Sequence, residues 1–555
     1  MDLVPGQTAD PLPSARAFAP WRIGAVGGTL LAGVALAALP LLLGSAVRAG
    51  GASASPIFEL LFRRNEPAAA WLALGIIAGA AVAARARVPE RFLVSRLAAD
   101  PRAFVAGVTL VLAVSSLLVY RAHPLSMDEY APLFQARVFA RFRLAAQVPP
   151  ELVPRLIPPI RWFIEGSPSG AMLSGYWPGF ALLLTPFVWL GCPWLLNPLL
   201  GGATLLLVSR LARRLWPGTD AAGWAVLFTA ASPAFFVNAI SFYSMAAHLA
   251  ASLCFATLVL EGRLLLAGTV GSVALSLHNP FPHTLFALPF LGWLAWRPGR
   301  LRNLASIAAG YAPGSILLLG GWMWLRASVT HPVETSSGLL GGFETLRQLV
   351  FTTPSVALML VRAMNLAELA SWAAPLLLPL AVFGAFRSRE NVGARLLAAS
   401  AALTLAAYAF VPYDQGHGWG FRYFHAVWGA LPLLAAGVVV QPKASAGLRK
   451  AALAGALGSL VLCTPLRLWQ VRTFIDAHLG QLPSLASDGR QKVIFVDVNR
   501  GSYTIDLIQN DPFLDGDRWT LISFGERKDV EFIRTFFPKA RRTVAGPFGS
   551  AWQVD

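Results

Sequence analysis

The chain has 555 residues, 56% hydrophobic and 13% charged, with a mean hydropathy of +0.58 and a formal net charge of +17. Soluble domains carry roughly 25% charged residues, so this composition excludes an ordinary soluble protein, and repeated apolar runs near the ~20 residues that cross a bilayer indicate a polytopic membrane protein. The arginines gather at the ends of those runs, where they set topology, which argues against nucleic acid as a partner; the three cysteines, Cys192, Cys254 and Cys463, show neither metal spacing nor a disulfide framework.

In chain order, spans are predicted near 23–47, 67–84 and 103–120, then near 194–211, 223–240, 245–260, 264–278, 283–296 and 304–325. The last four lie near 368–386, 394–412, 421–440 and 449–468, giving about thirteen transmembrane helices. The first run has no small-residue cleavage site and reads as a retained anchor. Arginine- and alanine-rich usage points to a bacterial inner membrane. The basic segments "RARVPERFLVSRLAADPR" (85–102), "RLARRLWPG" (210–218), "RPGRLRN" (297–303), "RSRENVGAR" (387–395) and "KASAGLRK" (443–450) belong in the cytoplasm, with the N-terminus. All agree only if the apolar stretch "WPGFALLLTPFVWLG" (177–191) does not cross, and with Pro186 inside it is short for a span.

This topology turns one set of loops outward: 121–193, "SFYS" (241–244), "HNPFPH" (278–283), 326–367, "YDQGHGWGFRYFH" (413–425) and the tail after 469. Nearly all clustered His, Tyr, Trp and acid outside the cytoplasmic loops then lies on one face. In the tail, "KVIFVDV" (492–498) and "RWTLISFG" (518–525) predict strands, and "DLIQNDPF" (506–513) a short helix. Residues 527–537 have helical spacing, and 543–554 read as a hairpin. Asp515 and Asp517 form a DxD that reads first as a turn. The expected architecture is an all-α polytopic domain (1–468) with interfacial helices in its first outward loop, then a small extracytoplasmic α/β domain (469–555).

The first outward loop opens with "HPLSMDEYAPLFQARVFARFRL" (123–144). With Ser126 as N-cap, Glu129 falls at the third helical position and closes a capping box, which accounts for Glu129 structurally. Asp128 favours the helix dipole at the second position but has no such binding role. Met127, Tyr130, Phe134 and Val138 form one apolar stripe, and Arg137, Arg141 and Arg143 add charge near the end. Alone, this pattern predicts a helix lying on the membrane surface.

The stretch, followed by "SGYWPGFALLLTPFVWLG" and "LLGGATLLLVSRLARRLWPG", resembles the C-type glycosyltransferases that use polyprenyl-phosphate sugars. That group includes the protein O-mannosyltransferases and the lipid A aminoarabinose transferase. The likeness is clearest over 103–300 and does not cover the tail. The lipid A type has a Glu-Lys pair where this chain has Gly175 and Tyr176, and two spans precede the one that leads into the loop.

The resemblance implies a sugar hung from a lipid phosphate at the outer leaflet and an acceptor attacking its anomeric carbon. It makes Asp128 the general base, with Glu129 beside it. Cations set at the leaving phosphate would stabilise the transition state. Arg422 is the first candidate, with Arg137 and Arg161 as alternatives; snorkelling at the interface explains any one of them equally simply. His278 and His283, flanking "NPFP" in a break between spans, and His417 and His425 could bond phosphate or sugar, or cap helix ends. Trp177, Trp419 and Tyr423 could stack on the sugar or prenyl chain, or belong to an interfacial belt, and Tyr176 is a further candidate for binding substrate. No residues have metal-ligand spacing, and a divalent cation stays open as a cofactor. The partners implied are the polyprenyl-phosphate sugar, a glycan, lipid or protein acceptor, and the bilayer. A transporter or flippase of lipid-linked saccharides, or an outward-facing glycan polymerase or ligase, is the competing function. The spans carry few acids at mid-depth and do not repeat as halves, which disfavours transport.

Overall fold

The computed structural model describes residues 21–49, 61–86, 91–157, 163–330, 355–411, 415, 418–483, 485, 489–546 and 549–554. Most of them are helical. Five stretches are long and apolar enough to cross a bilayer: Gly24–Gly44, Arg63–Ala83, Pro193–Leu215, Arg300–Val329 and Ala446–Leu479. The Phe92–Ala99 and Arg102–Leu118 helices make a sixth if taken as one span, but they meet at 93°. Pro101 caps the second of them, and its ring cannot continue the first. Eight further apolar helices of 10–17 residues fill out the bundle.

At the centre, every residue from 221 to 250 is buried. The run predicted as one span at 223–240 is two helices, Ala221–Ala230 and Pro233–Asn238. Pro233 has no amide to extend the first and a φ suited to starting the second. The break is satisfied from outside, because Ala234 N donates to Trp372 O at 2.9 Å. The run predicted at 368–386 is also divided, between Val356–Ser371 and Leu377–Arg387, with Leu376 left-handed at φ 73°. The last helical stretch runs on to Leu479. Stretch 177–191 forms only the eleven-residue Gly179–Trp189 helix. Small residues let backbones touch elsewhere: a Cβ on Gly268 would strike Ile307 O, and one on Gly310 would strike Leu265 O.

The tail forms a four-stranded sheet in the order β5-β4-β7-β6, from β4 Lys492–Val496, β5 Arg518–Ile522, β6 Arg541–Gly546 and β7 Gly549–Gln553. Strands β4 and β5 pair in parallel and the other neighbours antiparallel. The Glu526–Phe536 helix buries Phe532 and Ile533. The hairpin's two tip residues, 547 and 548, lie outside the described residues. The short helix expected at 506–513 is a single 3-10 turn, Thr504–Leu507.

The apolar stripe of the Met127–Ala140 helix, predicted to face lipid, is covered by protein instead. Met127, Tyr130, Phe134 and Val138 share a buried core with Val493, Ile494, Phe495 and Leu521 of the terminal sheet. Its arginines go the same way: Arg141 pairs with Asp515, and Arg141 and Arg143 lie over the Phe513 ring at 4.2 and 5.7 Å. Fully burying one such side chain is worth about 1.5–3 kcal/mol, and a protein partner can supply that burial as well as lipid does. A second, three-stranded antiparallel sheet in the same loop, ordered β1-β3-β2 (Ala146–Gln147, Ala171–Ser174, Ile164–Gly166), adds Ala146, Ile164 and Met172 to this core.

Candidate active site

Asp128 is the second residue of the Met127–Ala140 helix, at the positive end of the helix dipole. Its Oδ2 accepts a hydrogen bond from Arg422 Nη1 at 3.0 Å, and its Oδ1 accepts one from the Tyr176 hydroxyl. The guanidinium is 6% exposed and the carboxylate side chain 24%, so the cation is sealed while the acid keeps an open edge. The His278 ring lies 4.3 Å from that of Tyr176, tilted by 45°. The Tyr243 ring faces the guanidinium, its centroid 4.4 Å from Cζ.

Each group is held by local chain chemistry. Tyr176 follows β3; Ser174 N donates to Gln135 Oε1 of the loop helix at 3.0 Å, and Tyr176 N donates to Ser174 Oγ at 3.1 Å. Gly179 N donates to Ser276 O at 2.9 Å, which joins this strand to the segment bearing His278. Arg422 opens the 3-10 helix Arg422–Val427. Its amide donates to Gln415 Oε1 at 2.7 Å, and its Nη2 donates to Gln415 O. Gln415 Nε2 donates in turn to Glu368 Oε2 at 3.1 Å and to Gly420 O at 2.6 Å. A Cβ on Gly418 would overlap the Arg422 side chain, so only glycine leaves the guanidinium its place.

Burial alone pushes the Asp128 carboxyl up. The Arg422 guanidinium, His278 and the Tyr176 hydroxyl outweigh it and hold the acid below the usual carboxylate range. Burial, with Asp128 alongside, raises Tyr176 well above the ordinary phenol value. Burial lowers His278, against the pull of Asp128. At neutral pH these directions leave Asp128 ionised beside the guanidinium and the Tyr176 phenol protonated.

Glu129 is a different acid. Its Oε1 accepts from the Tyr120 hydroxyl at 2.9 Å and Phe242 N at 2.8 Å. Its Oε2 accepts from Leu125 N at 2.6 Å and Ser126 N at 3.2 Å. Both oxygens are committed to the fold, and the residue is fully buried.

No protein-family model matches the chain, and no curated protein matches it either. Solved structures do. ArnT from Cupriavidus metallidurans bound to undecaprenyl phosphate superposes with a TM-score of 0.51 at 12% identity, covering 82% of this chain and 98% of ArnT. Its apo state gives 0.50 at 12% identity, covering 82% and 97%. The chain shares the fold of ArnT.

Within this fold the other predicted residues separate. His283 turns away: its Nε2 shares a hydrogen bond with the Tyr311 hydroxyl at 2.7 Å, and its ring meets Phe255 edge-on at 5.0 Å. Tyr423 stacks on Tyr408 at 4.5 Å, next to Arg422 in sequence but in another ring system. Trp177 is half-buried. Arg137 stands nine residues beyond Asp128, two and a half helical turns away, and its charge acts on His123 and Tyr130. Arg161 and His417 lie outside the described residues. Among the described residues, no group of three or more His, Cys, Asp and Glu could hold a metal ion.

Sequence reasoning missed Tyr243 and Gln415. Both sit in segments marked as outward loops, "SFYS" and "YDQGHGWGFRYFH", but nothing local says that one meets Arg422 or that the other cradles it. It also missed His248, buried at 1% exposure with neither ring nitrogen bonded.

Proposed function

We propose that the chain is an inverting glycosyltransferase of a bacterial inner membrane, moving a sugar from a polyprenyl-phosphate carrier to an extracytoplasmic lipid, glycan or protein. The observation that carries this reading is the Asp128–Arg422 pair, with a partly exposed acid, in a fold shared with a protein crystallised with undecaprenyl phosphate. In this reading about thirteen segments cross the bilayer, the N-terminus is cytoplasmic, and the loop and terminal domain face outward.

The acceptor hydroxyl or amine sits at the open edge of Asp128 and gives up its proton there. Its heteroatom attacks the anomeric carbon from the face opposite the carrier. The bond from that carbon to the phosphate oxygen breaks, and the electron pair leaves with the phosphate. Arg422, already desolvated, stabilises the growing negative charge. A carboxylate held low by a guanidinium is a weak base. A donor phosphate competes for the same guanidinium, and whatever charge it draws from Asp128 makes the acid more basic. Tyr176 and His278 border the acid and offer polar edges to a sugar.

Purified, folded Asp128→Asn in lipid nanodiscs, given lipid-phosphate sugars, should transfer sugar about 10²–10⁴-fold more slowly than the parent chain. Undiminished transfer rejects Asp128 as the base. Asp128→Cys should label from the outer side with an impermeant thiol reagent, and labelling from the cytosol rejects the topology.

A further inference from the structure

The helix that carries Asp128 is only partly capped by its own sequence: Ser126 and Glu129 form a capping box, and the Glu129 and Tyr130 amides donate to Ser126 O at 3.0 and 2.9 Å, but Met127 N, the first amide, bonds outside this segment. A helix leaves its first four amides without partners. Pro132, in the second turn, has no amide to give the Asp128 carbonyl. The Ser126 hydroxyl donates to Tyr243 at 3.0 Å.

The partner of that first amide comes from the far end of the chain. Asp506, 5% exposed, accepts from Met127 N at 2.8 Å, the amide one residue before Asp128. Gln509 Nε2 donates to Pro124 O at 2.8 Å. The Tyr130 hydroxyl donates to Asn510 O at 2.6 Å and accepts from Asn510 N at 2.8 Å. So residues 506–510 grip the chain immediately before, at and after the start of the helix. The grip is rooted in the terminal sheet: Asn510 Nδ2 donates to Thr520 O at 2.8 Å, and Thr520 N donates to Asn510 Oδ1 at 2.7 Å. A second anchor fixes the other side of the loop. Arg155 enters the terminal domain, pairs with Asp529 at 2.7 Å, and donates to Ile522 O at 3.0 Å and Lys528 O at 3.1 Å. Its guanidinium lies within 4.6–5.1 Å of the Phe495, Phe524 and Phe532 ring centres.

We propose that the terminal domain sets the position of the catalytic acid, and that Asp506 is the positioning residue: its carboxylate caps the Met127–Ala140 helix across the domain boundary and so fixes Asp128 against Arg422. This rests on the transferase reading for its kinetic consequence but not for its structural one. Asp506 touches the helix backbone rather than substrate, so its loss acts on turnover and leaves donor affinity alone. What the amide needs is an acceptor oxygen, which asparagine keeps and alanine removes.

The test uses the full chain in nanodiscs, as Asp506→Ala and Asp506→Asn, with two readouts. Hydrogen exchange over 125–135 should quicken in Asp506→Ala and stay near the parent rate in Asp506→Asn. With a lipid-phosphate sugar donor, kcat should fall by about 10- to 100-fold in Asp506→Ala with KM within about twofold, as for a small misplacement of a catalytic group, and Asp506→Asn should recover most of it. Parent-like exchange and kcat in Asp506→Ala overturn the proposal, as does an Asp506→Asn chain as defective as the alanine variant. A parent chain that transfers no sugar overturns the transferase reading instead, and the exchange measurement still decides the cap. If Asp506→Ala does not fold, the asparagine variant decides alone: parent-like exchange and turnover support the cap, and loss of either overturns it.

Discussion

Two arginine–carboxylate pairs in this molecule look alike and differ in how far the acid is closed. Arg467 and Glu66 meet at 2.7 Å, each 1% exposed, where the Glu66–Ala83 and Thr464–Leu479 helices cross. Trp372 Nε1 donates to the same carboxylate at 3.0 Å, the Trp372 ring lies 4.3 Å from the guanidinium, and Arg467 Nη1 donates to Gln470 at 2.9 Å. Arg422 and Asp128 have equally good geometry, but one edge of the acid stays open and both oxygens contact groups from distant loops. A closed pair joins helices; a pair with an exposed acid can exchange partners. The exposure of the carboxylate, not the distance between the charges, separates the two.

Four perturbations sharpen that contrast, in falling order of expected effect. Asp128→Asn should cost transfer about 10²–10⁴-fold and leave the melting temperature within a few degrees; an equal loss of both would make this pair structural too. Glu66→Ala should do the reverse, destabilising by about 3–5 kcal/mol because the Arg467 charge is stranded, while the folded fraction keeps its specific activity in a transfer assay. Gly418→Ala displaces the Arg422 side chain at a cost of about 1–3 kcal/mol, the usual range for overpacking, and should slow transfer with little change in melting. Tyr176→Phe removes one hydrogen bond, worth about 0.5–1.5 kcal/mol, and should raise the acid limb of the pH–rate profile.

That limb carries a sign. The folded Asp128 titrates below its unfolded value. Its contribution to stability is therefore complete at neutral pH and is lost as pH falls through the depressed folded value. Arg422→Gln removes the main lowering influence and leaves burial, which raises the acid. The pH at which activity falls off on the acid side should then move upward, and a limb that does not move would separate Asp128 from the titrating group.

What the sequence made legible was local. Ser126 and Glu129 announced the start of the loop helix, and the short apolar runs in 492–498 and 518–525 announced two strands. The adjacency of Asp128 and Glu129, one free and one engaged by a capping box, was readable from spacing alone. Pairings across the chain were not. Arg422 and Asp128 are 294 residues apart, and no periodicity links them. The break at Leu376 was invisible because a leucine in the left-handed region has no local cause; its surroundings impose it. The amphipathic stripe on the loop helix was read correctly as apolar and given the wrong neighbour, since a stripe records that something covers it and not what.

The shared core of loop and terminal sheet has a consequence for how the protein is made. The Met127 amide and Asp506 are separated by 379 residues. A ribosome that has delivered every membrane helix has still not delivered the strands that cover Met127, Tyr130 and Phe134. Until those strands are made, these side chains lack their cover, and a chain cut short before residue 492 is left with an apolar wound beside its acid.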